Sequence, residues 1–149
     1  TRLGIAEGTQ LPRPIVEYYY KDSKLQSPMV AEEHIVAFGW ANQQDLDDIV
    51  ALSLRVNDFL SGVMMGVGIR LADFRIEVGR IWEGDFMRLI VADEISPDSC
   101  RLWDMRQPER PDGTIPDPLP MADVYTELAR RLGVMPSNVT HAMKPTLIN

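Results

Sequence analysis

Apolar and charged residues alternate over six positions of the chain, and this alternation predicts a β-strand. Three charged side chains share one face and three apolar side chains the other, namely Asp73, Arg75 and Glu77 against Phe74, Ile76 and Val78. Glu83 to Asp85 predicts a reversal, and Met87 to Val91 predicts the second arm of a hairpin. A turn centred on Asp85 would make Glu77 and Asp93 cross-strand partners, whereas a shift of one residue would turn Asp93 away.

Two other stretches carry apolar residues at helical spacing. Asn42 predicts the N-cap of the first helix, with Asp45 three residues later, and the helix extends to about Met65. Its apolar face is expected to be buried and contains Leu46, Ile49, Val50, Leu54, Phe59, Leu60, Val63 and Met64. A second helix is predicted from Met121 to Leu132, ended by Gly133. Its inward positions are Val124, Leu128 and Leu132.

The remaining stretches predict a strand, a loop and a tail within a single domain of residues 1–149. Ile15 to Tyr20 is a β-branched and aromatic run typical of a strand. Residues 105–120 contain five prolines and predict an irregular loop. Residues 134–149 are expected to form a surface tail.

Composition narrows the class of protein and of partner. With 45% hydrophobic and 25% charged residues the chain resembles ordinary soluble globular domains, and a net charge of −7 argues against binding to nucleic acid or to an anionic membrane. No apolar run in the sequence approaches the roughly 20 residues that span a bilayer. Cys100 is the single cysteine, which suits a reducing cytoplasm. Because the chain begins at Thr1 rather than Met, we expect it to be the downstream piece of a longer product.

Charged side chains of both signs are expected to gather at one end of the predicted hairpin. Ser96 to Ser99 has the residues of a tight type I turn, which would bring Asp98 and then Arg101 to the strand end. Paired carboxylates suit Mg²⁺, and arginine suits planar or tetrahedral anions. By pattern alone the alternative is a solvated sheet face with surface ion pairs. His34 and His141 have no companions at zinc-ligand spacing.

The order of two motifs favours a binding site for Mg²⁺ and anions over a solvated sheet face. DFRIEVG followed by ADEISPDSCRLWD resembles the signature of SAICAR synthetase (phosphoribosylaminoimidazole-succinocarboxamide synthase) of purine biosynthesis. The resemblance extends to TRLGIAEGTQLPRPIVEYYYK, PMVAEEHIVAFGW and YTELARRLGV. It implies an α+β fold, with an antiparallel sheet and packed helices, and ATP-dependent ligation of L-aspartate to the carboxylate of CAIR. ATP and Mg²⁺ are the implied cofactors.

The resemblance also implies roles for individual residues. It assigns Mg²⁺ and nucleotide binding to Glu77 and Asp93, catalytic positions on the substrate side to Asp73 and Arg75, and substrate binding to Lys21, Asp98 and Arg101. Two positions depart from the family pattern. Arg75 stands where the family usually has lysine, and Ser27 where it usually has aspartate.

In the family, an amino-terminal lobe supplies a glycine-and-lysine loop over the ATP phosphates, and this sequence contains no such loop. We therefore expect a carboxy-terminal part of the enzyme that requires this lobe, with a second copy of the chain or the lobe itself as partner. One alternative is a non-catalytic divergent copy or fragment that binds a nucleotide or a partner protein. Another is an unrelated interaction domain with a solvated hairpin.

Overall fold

The computed structural model describes residues 4–6, 8–107 and 119–135. In this part of the chain, six strands pair two by two in antiparallel fashion beside three helices, which confirms the α+β class. The elements in chain order are β1 (Tyr18–Tyr19), β2 (Met29–Val30), α1 (Glu32–Ala37), α2 (Gln43–Gly66), β3 (Ile69–Phe74), β4 (Glu77–Glu83), β5 (Phe86–Ala92), β6 (Cys100–Asp104) and α3 (Met121–Arg131). The strand pairs are β1 with β2, β3 with β6 and β4 with β5.

Helix α2 begins where its capping residues predict. The side chain of Asn42 accepts a hydrogen bond from the Asp45 backbone N–H at 2.8 Å, and the Asp45 carboxylate accepts one from the Asn42 N–H at 3.2 Å. Arg80 of β4 also donates to the Asp45 carboxylate, at 2.6 Å, and this bond lowers the pKa of Asp45. The same residue thus caps the helix and ties it to the β4–β5 hairpin.

The buried face of α2 is narrower than predicted. Leu46 and Met64 are buried, but Phe59 is 70% exposed, so its predicted burial is wrong. At 100° per residue Phe59 lies about 140° from the direction of Leu46.

Contrary to the expectation from the sequence, α2 is long and apolar enough by length and composition to cross a bilayer, and little of it is buried.

The core lies where the end of α2 meets β3, β6 and α3. Its buried members are Met64, Ile69, Leu102, Val124 and Leu128. The inward positions predicted for Val124 and Leu128 are therefore confirmed. Leu132 is 41% exposed, so its predicted burial is wrong, because α3 ends one residue earlier and the chain turns away at Gly133, whose φ is +73°.

Two strand predictions are wrong in extent. The strand expected from Ile15 to Tyr20 is paired only at Tyr18–Tyr19, because its partner β2 has two residues. The alternating stretch from Asp73 to Val78 is not one strand. Strand β3 ends at Phe74 and pairs with β6, whereas β4 begins at Glu77 and pairs with β5.

The hairpin register also differs by one residue from the prediction. Gly84 and Asp85 form a two-residue turn between the paired residues Glu83 and Phe86, and Gly84 has a φ of +63°. Its centre lies between the two turn residues, so Glu77 pairs with Ala92 and not with Asp93. The second arm is confirmed as β5.

Part of the predicted loop and tail lies outside the described residues. The loop of 105–120 is described except at 108–118, and only Val134 and Met135 of the tail are described, both exposed. The single-domain organisation stays a prediction.

Arg131 fixes the end of α3 against the sheet. Its guanidinium forms an ion pair with Asp104 of β6, donates to the Gly68 carbonyl at 3.2 Å and contacts Glu127 one turn earlier. The arginine side chain is only 5% exposed. These contacts lower the pKa of Asp104, and bonds from Arg130 and Arg131 lower that of Glu127 to about 2.

We predict that Arg131→Met lowers the free energy of unfolding by roughly 3 kcal/mol, because it leaves the Asp104 carboxylate without its buried partner. Arg130→Met is the matched control, since Arg130 pairs with Glu127 at the surface and should change stability little. Urea unfolding of both variants measures the difference. Equal transition midpoints for the two variants would contradict the assignment.

Candidate functional site

The turn between β5 and β6 presents Asp98 at the sheet end, as predicted. The Ser99 N–H donates to the Ser96 carbonyl at 3.0 Å, and residues Pro97–Ser99 form a short 3-10 helix. The Ser99 hydroxyl also donates to the Ser96 carbonyl at 2.9 Å and accepts from the Ser96 N–H at 3.1 Å. These local bonds fix the backbone that carries Asp98.

A cavity of about 310 Å³ adjoins this turn. Four of the predicted site residues line it, namely Asp73, Arg75, Asp98 and Arg101. Asp73 and Arg101 are paired across β3 and β6, and their side chains approach to 3.5 Å. The apolar wall includes Leu102 and Val124 of the core. The cavity therefore offers both carboxylate acceptors and guanidinium donors above an apolar base.

Glu77 lies in a second cluster, because the chain passes from β3 to β4 between Phe74 and Glu77. Its carboxylate forms an ion pair with the ammonium of Lys21. The hydrogen bond and charge of Glu77 raise the pKa of Lys21, and the charge of Asp93 raises it further. Lys21, which the resemblance places in the substrate pocket, contacts Glu77 and is not among the residues lining the cavity.

Asp93 joins this second cluster in spite of the corrected register. It directly follows Ala92, the cross-strand partner of Glu77. Its φ of +66° is uncommon for a residue other than glycine and ends the extended strand there. Its carboxylate accepts a hydrogen bond from the Glu94 N–H at 2.9 Å. Glu77 and Asp93 are therefore not cross-strand partners. What they share is an effect on Lys21, whose pKa both carboxylates raise.

Metal binding by the described part of the chain would rely on few protein ligands. Within residues 4–6, 8–107 and 119–135, no group of three or more His, Cys, Asp or Glu side chains is arranged to hold a metal ion. Mg²⁺ is commonly held by one or two carboxylates, with water and substrate phosphates completing its shell. Glu77 and Asp93 are two carboxylates of the kind this mode uses; Glu77 is paired with the Lys21 ammonium, and Asp93 contributes to the raised pKa of that lysine.

Tyr125 was not predicted as a site residue. Its hydroxyl donates to Asp98 at 2.6 Å, and this bond raises the pKa of the phenol. In the sequence, Tyr125 lies outside the inward positions predicted for the helix that contains YTELARRLGV. Nothing in the sequence indicates that this helix lies beside the Ser96 to Ser99 turn. The packing of α3 against the turn and against Leu102 of β6 brings the two residues together.

The chain is similar to proteins of known family. The family model described as SAICAR synthetase matches residues 1–116. Among curated relatives, the phosphoribosylaminoimidazole-succinocarboxamide synthase of Roseobacter denitrificans is 67% identical over 99% of this chain and 59% of its own length. That of Jannaschia sp. is 66% identical over 100% and 60%. The chain thus spans about three fifths of the curated relatives it matches.

Solved structures agree with these relatives. The crystal structure of phosphoribosylaminoimidazole-succinocarboxamide synthase from Ehrlichia chaffeensis has a TM-score of 0.76 and 38% identity, and it covers 91% of this chain and 58% of its own. A SAICAR synthetase in complex with ADP has a TM-score of 0.74 and 34% identity, over 90% of this chain and 57% of its own.

We predict that Cys100, the only cysteine, reacts slowly with alkylating reagents at pH 7. The thiol is half-buried, and burial raises its pKa, so a smaller fraction is thiolate at neutral pH than in a free thiol. Alkylation by iodoacetamide should be at least about tenfold slower than that of glutathione at pH 7, and should still be accelerating above pH 9. A rate equal to that of glutathione at pH 7 would contradict this assignment.

Proposed function

The chain belongs to the SAICAR synthetase family, and on that premise we propose that the protein containing it ligates L-aspartate to the carboxylate of CAIR in an ATP-dependent reaction of purine biosynthesis. We propose that the chain is the carboxy-terminal part of this enzyme, acting in the cytoplasm with the amino-terminal lobe of the family. The observation that carries the proposal is the division of the predicted site residues into two neighbouring clusters of different chemistry. One holds the Glu77–Lys21 ion pair with Asp93 next to the cross-strand partner of Glu77, and the other is a cavity with carboxylates and guanidinium groups.

The reaction needs a binding site for the phosphoryl donor ATP and a binding site for the two carboxylic acids that are joined, CAIR and L-aspartate. A carboxylate is a poor electrophile, so the γ-phosphoryl group of ATP is transferred to an oxygen of the CAIR carboxylate, and ADP leaves. The amine of aspartate then attacks the carbonyl carbon, phosphate departs, and the amine loses a proton as the amide forms. Such chemistry depends on positioning and on neutralising negative charge from several sides.

We assign the nucleotide end to Glu77 and Asp93. The carboxylates of Glu77 and Asp93 are oxygen donors of the kind that Mg²⁺ takes, and a bound Mg²⁺ would supply charge neutralisation at the transferred phosphoryl group. Lys21 lies at this same end, so we assign it to an anionic group of the bound substrates. The ADP in the related solved structure supports a nucleotide site in the family fold.

We assign the cavity to CAIR and aspartate. The guanidinium groups of Arg75 and Arg101 suit carboxylate or phosphate oxygens, and the carboxylates of Asp73 and Asp98 suit N–H donors. Both substrates combine anionic groups with N–H donors. A volume of about 310 Å³ is within the range of small-molecule sites. Asp73 lies near the end of β3 and Arg75 on the link that follows toward β4, and we assign both to the side of the cavity nearer the nucleotide cluster.

We predict that Glu77→Gln and Asp93→Asn each reduce ATP-dependent formation of SAICAR at least about 100-fold in the complete protein, because each removes a charge that would hold the magnesium nucleotide. Both changes keep the size of the side chain. Turnover with saturating CAIR, aspartate and Mg-ATP is the measurement, and circular dichroism checks the fold.

The matched control is Asp85→Asn, which removes one carboxylate from the turn at the opposite end of the same hairpin. It should leave turnover unchanged. Normal turnover in Glu77→Gln or Asp93→Asn would refute the assignment of that residue. A complete protein that does not turn over, and whose calorimetry with CAIR and Mg-ATP shows no binding linked to Mg²⁺, would favour the non-catalytic alternative.

A further inference from the structure

A tyrosine of α3 contacts the cavity-lining turn from outside the cavity. The Tyr125 hydroxyl donates to one oxygen of the Asp98 carboxylate at 2.6 Å. Asp98 lines the cavity, and so does Val124, the residue before the tyrosine. Tyr125 itself is not among the lining residues.

We propose that Tyr125 is a positioning residue, which holds one oxygen of Asp98 so that the other is oriented to accept a hydrogen bond from the substrate in the cavity. This inference rests on the proposed function, which places CAIR and aspartate there. It adds a role for α3, a helix in which neither the sequence pattern nor the resemblance assigned a site residue.

The hydrogen bonds within the turn do not orient the side chain of Asp98. Hydrogen bonds between Ser96 and Ser99 fix the backbone, but they do not involve the Asp98 carboxylate. A side chain that must be ordered when the substrate binds weakens binding, whereas one ordered beforehand does not. A phenol donating to a carboxylate forms a short, charge-assisted bond, and the 2.6 Å separation fits that class.

The tyrosine can orient Asp98 because its own helix is fixed at two places. Val124 and Leu128 of α3 are buried in the core. Six residues beyond Tyr125, Arg131 joins the end of the helix to Asp104 of β6. These contacts hold the helix that carries the phenol, and none of them involves the Asp98 carboxylate. A tyrosine hydroxyl is protonated at neutral pH even at its ordinary pKa of about 10, so it can donate there, and the bond to Asp98 raises that pKa further.

Tyr125→Phe in the complete protein tests the proposal, because it removes the hydroxyl and keeps the ring. We expect KM for CAIR or for L-aspartate, whichever Asp98 contacts, to rise about tenfold, with kcat changed less than about threefold. The thermal transition should move little. The matched control is Tyr19→Phe, which removes another exposed tyrosine bond to a carboxylate, that of Glu17 at 3.0 Å, and should leave both constants unchanged.

A double-mutant cycle separates positioning through Asp98 from a purely structural role. In an Asp98→Asn background, Tyr125→Phe should add less than about a twofold change in KM. The proposal is overturned if the single variant keeps both KM values, or if the full tenfold effect persists in the Asp98→Asn background. Either result with an active wild-type enzyme contradicts only the role of Tyr125. A complete wild-type protein without ligase activity contradicts the proposed function and this inference together.

Discussion

The arrangement of the site residues depends on one point in the backbone, between β3 and β4, where the chain changes the strand with which it pairs. Strand β3 is paired with β6 as far as Phe74 with Cys100, and the Arg75 N–H then donates to the Ser99 carbonyl at 2.8 Å. Two residues later, Glu77 is already paired in the other hairpin. An uninterrupted strand would have placed Asp73, Arg75 and Glu77 on one face. The break instead gives Asp73 and Arg75 to the cavity and Glu77 to the cluster with Lys21, so the residues that we propose for two chemical tasks are neighbours in one short segment.

Ionic contacts between distant parts of the chain hold these elements where the small apolar core does not reach. Arg80 joins β4 to the cap of α2 through Asp45, and Arg131 joins α3 to β6 through Asp104. Both carboxylates have little exposed surface, and the pKa of each is lowered by its arginine. Such pairs add little net stability compared with apolar packing, but they specify which elements meet. Here they set the hairpin against α2, and α3 against the wall of the cavity.

Sequence reasoning succeeded where a feature depends on residues close in the chain. The start of α2 at Asn42, the end of α3 at Gly133 and the turn at Ser96 to Ser99 each follow from local hydrogen bonds or from a φ that glycine adopts readily.

Prediction from the sequence failed where a residue distant in the chain determines the local structure. Strand β6 was not predicted, because Cys100–Asp104 becomes a strand by pairing with β3 across a register shift. The one-residue error at Glu77 arose because alternation fixes the faces of a strand but not the centre of its turn. The contact of Tyr125 with Asp98 joins residues 27 positions apart, and no spacing rule indicates it.

We propose that this fold separates a cation-binding carboxylate pair from the cavity for the organic substrates. Anomalous diffraction from crystals of the complete protein grown with Mn²⁺ and ADP tests it most directly, since manganese replaces magnesium and is located without reference to any assumed ligand. We expect an anomalous peak bonded to the carboxylates of Glu77 and Asp93, with the cavity beside Asp98 free of metal. A peak bonded to Asp73 or Asp98 in the cavity, with Glu77 still paired only to Lys21, would contradict it.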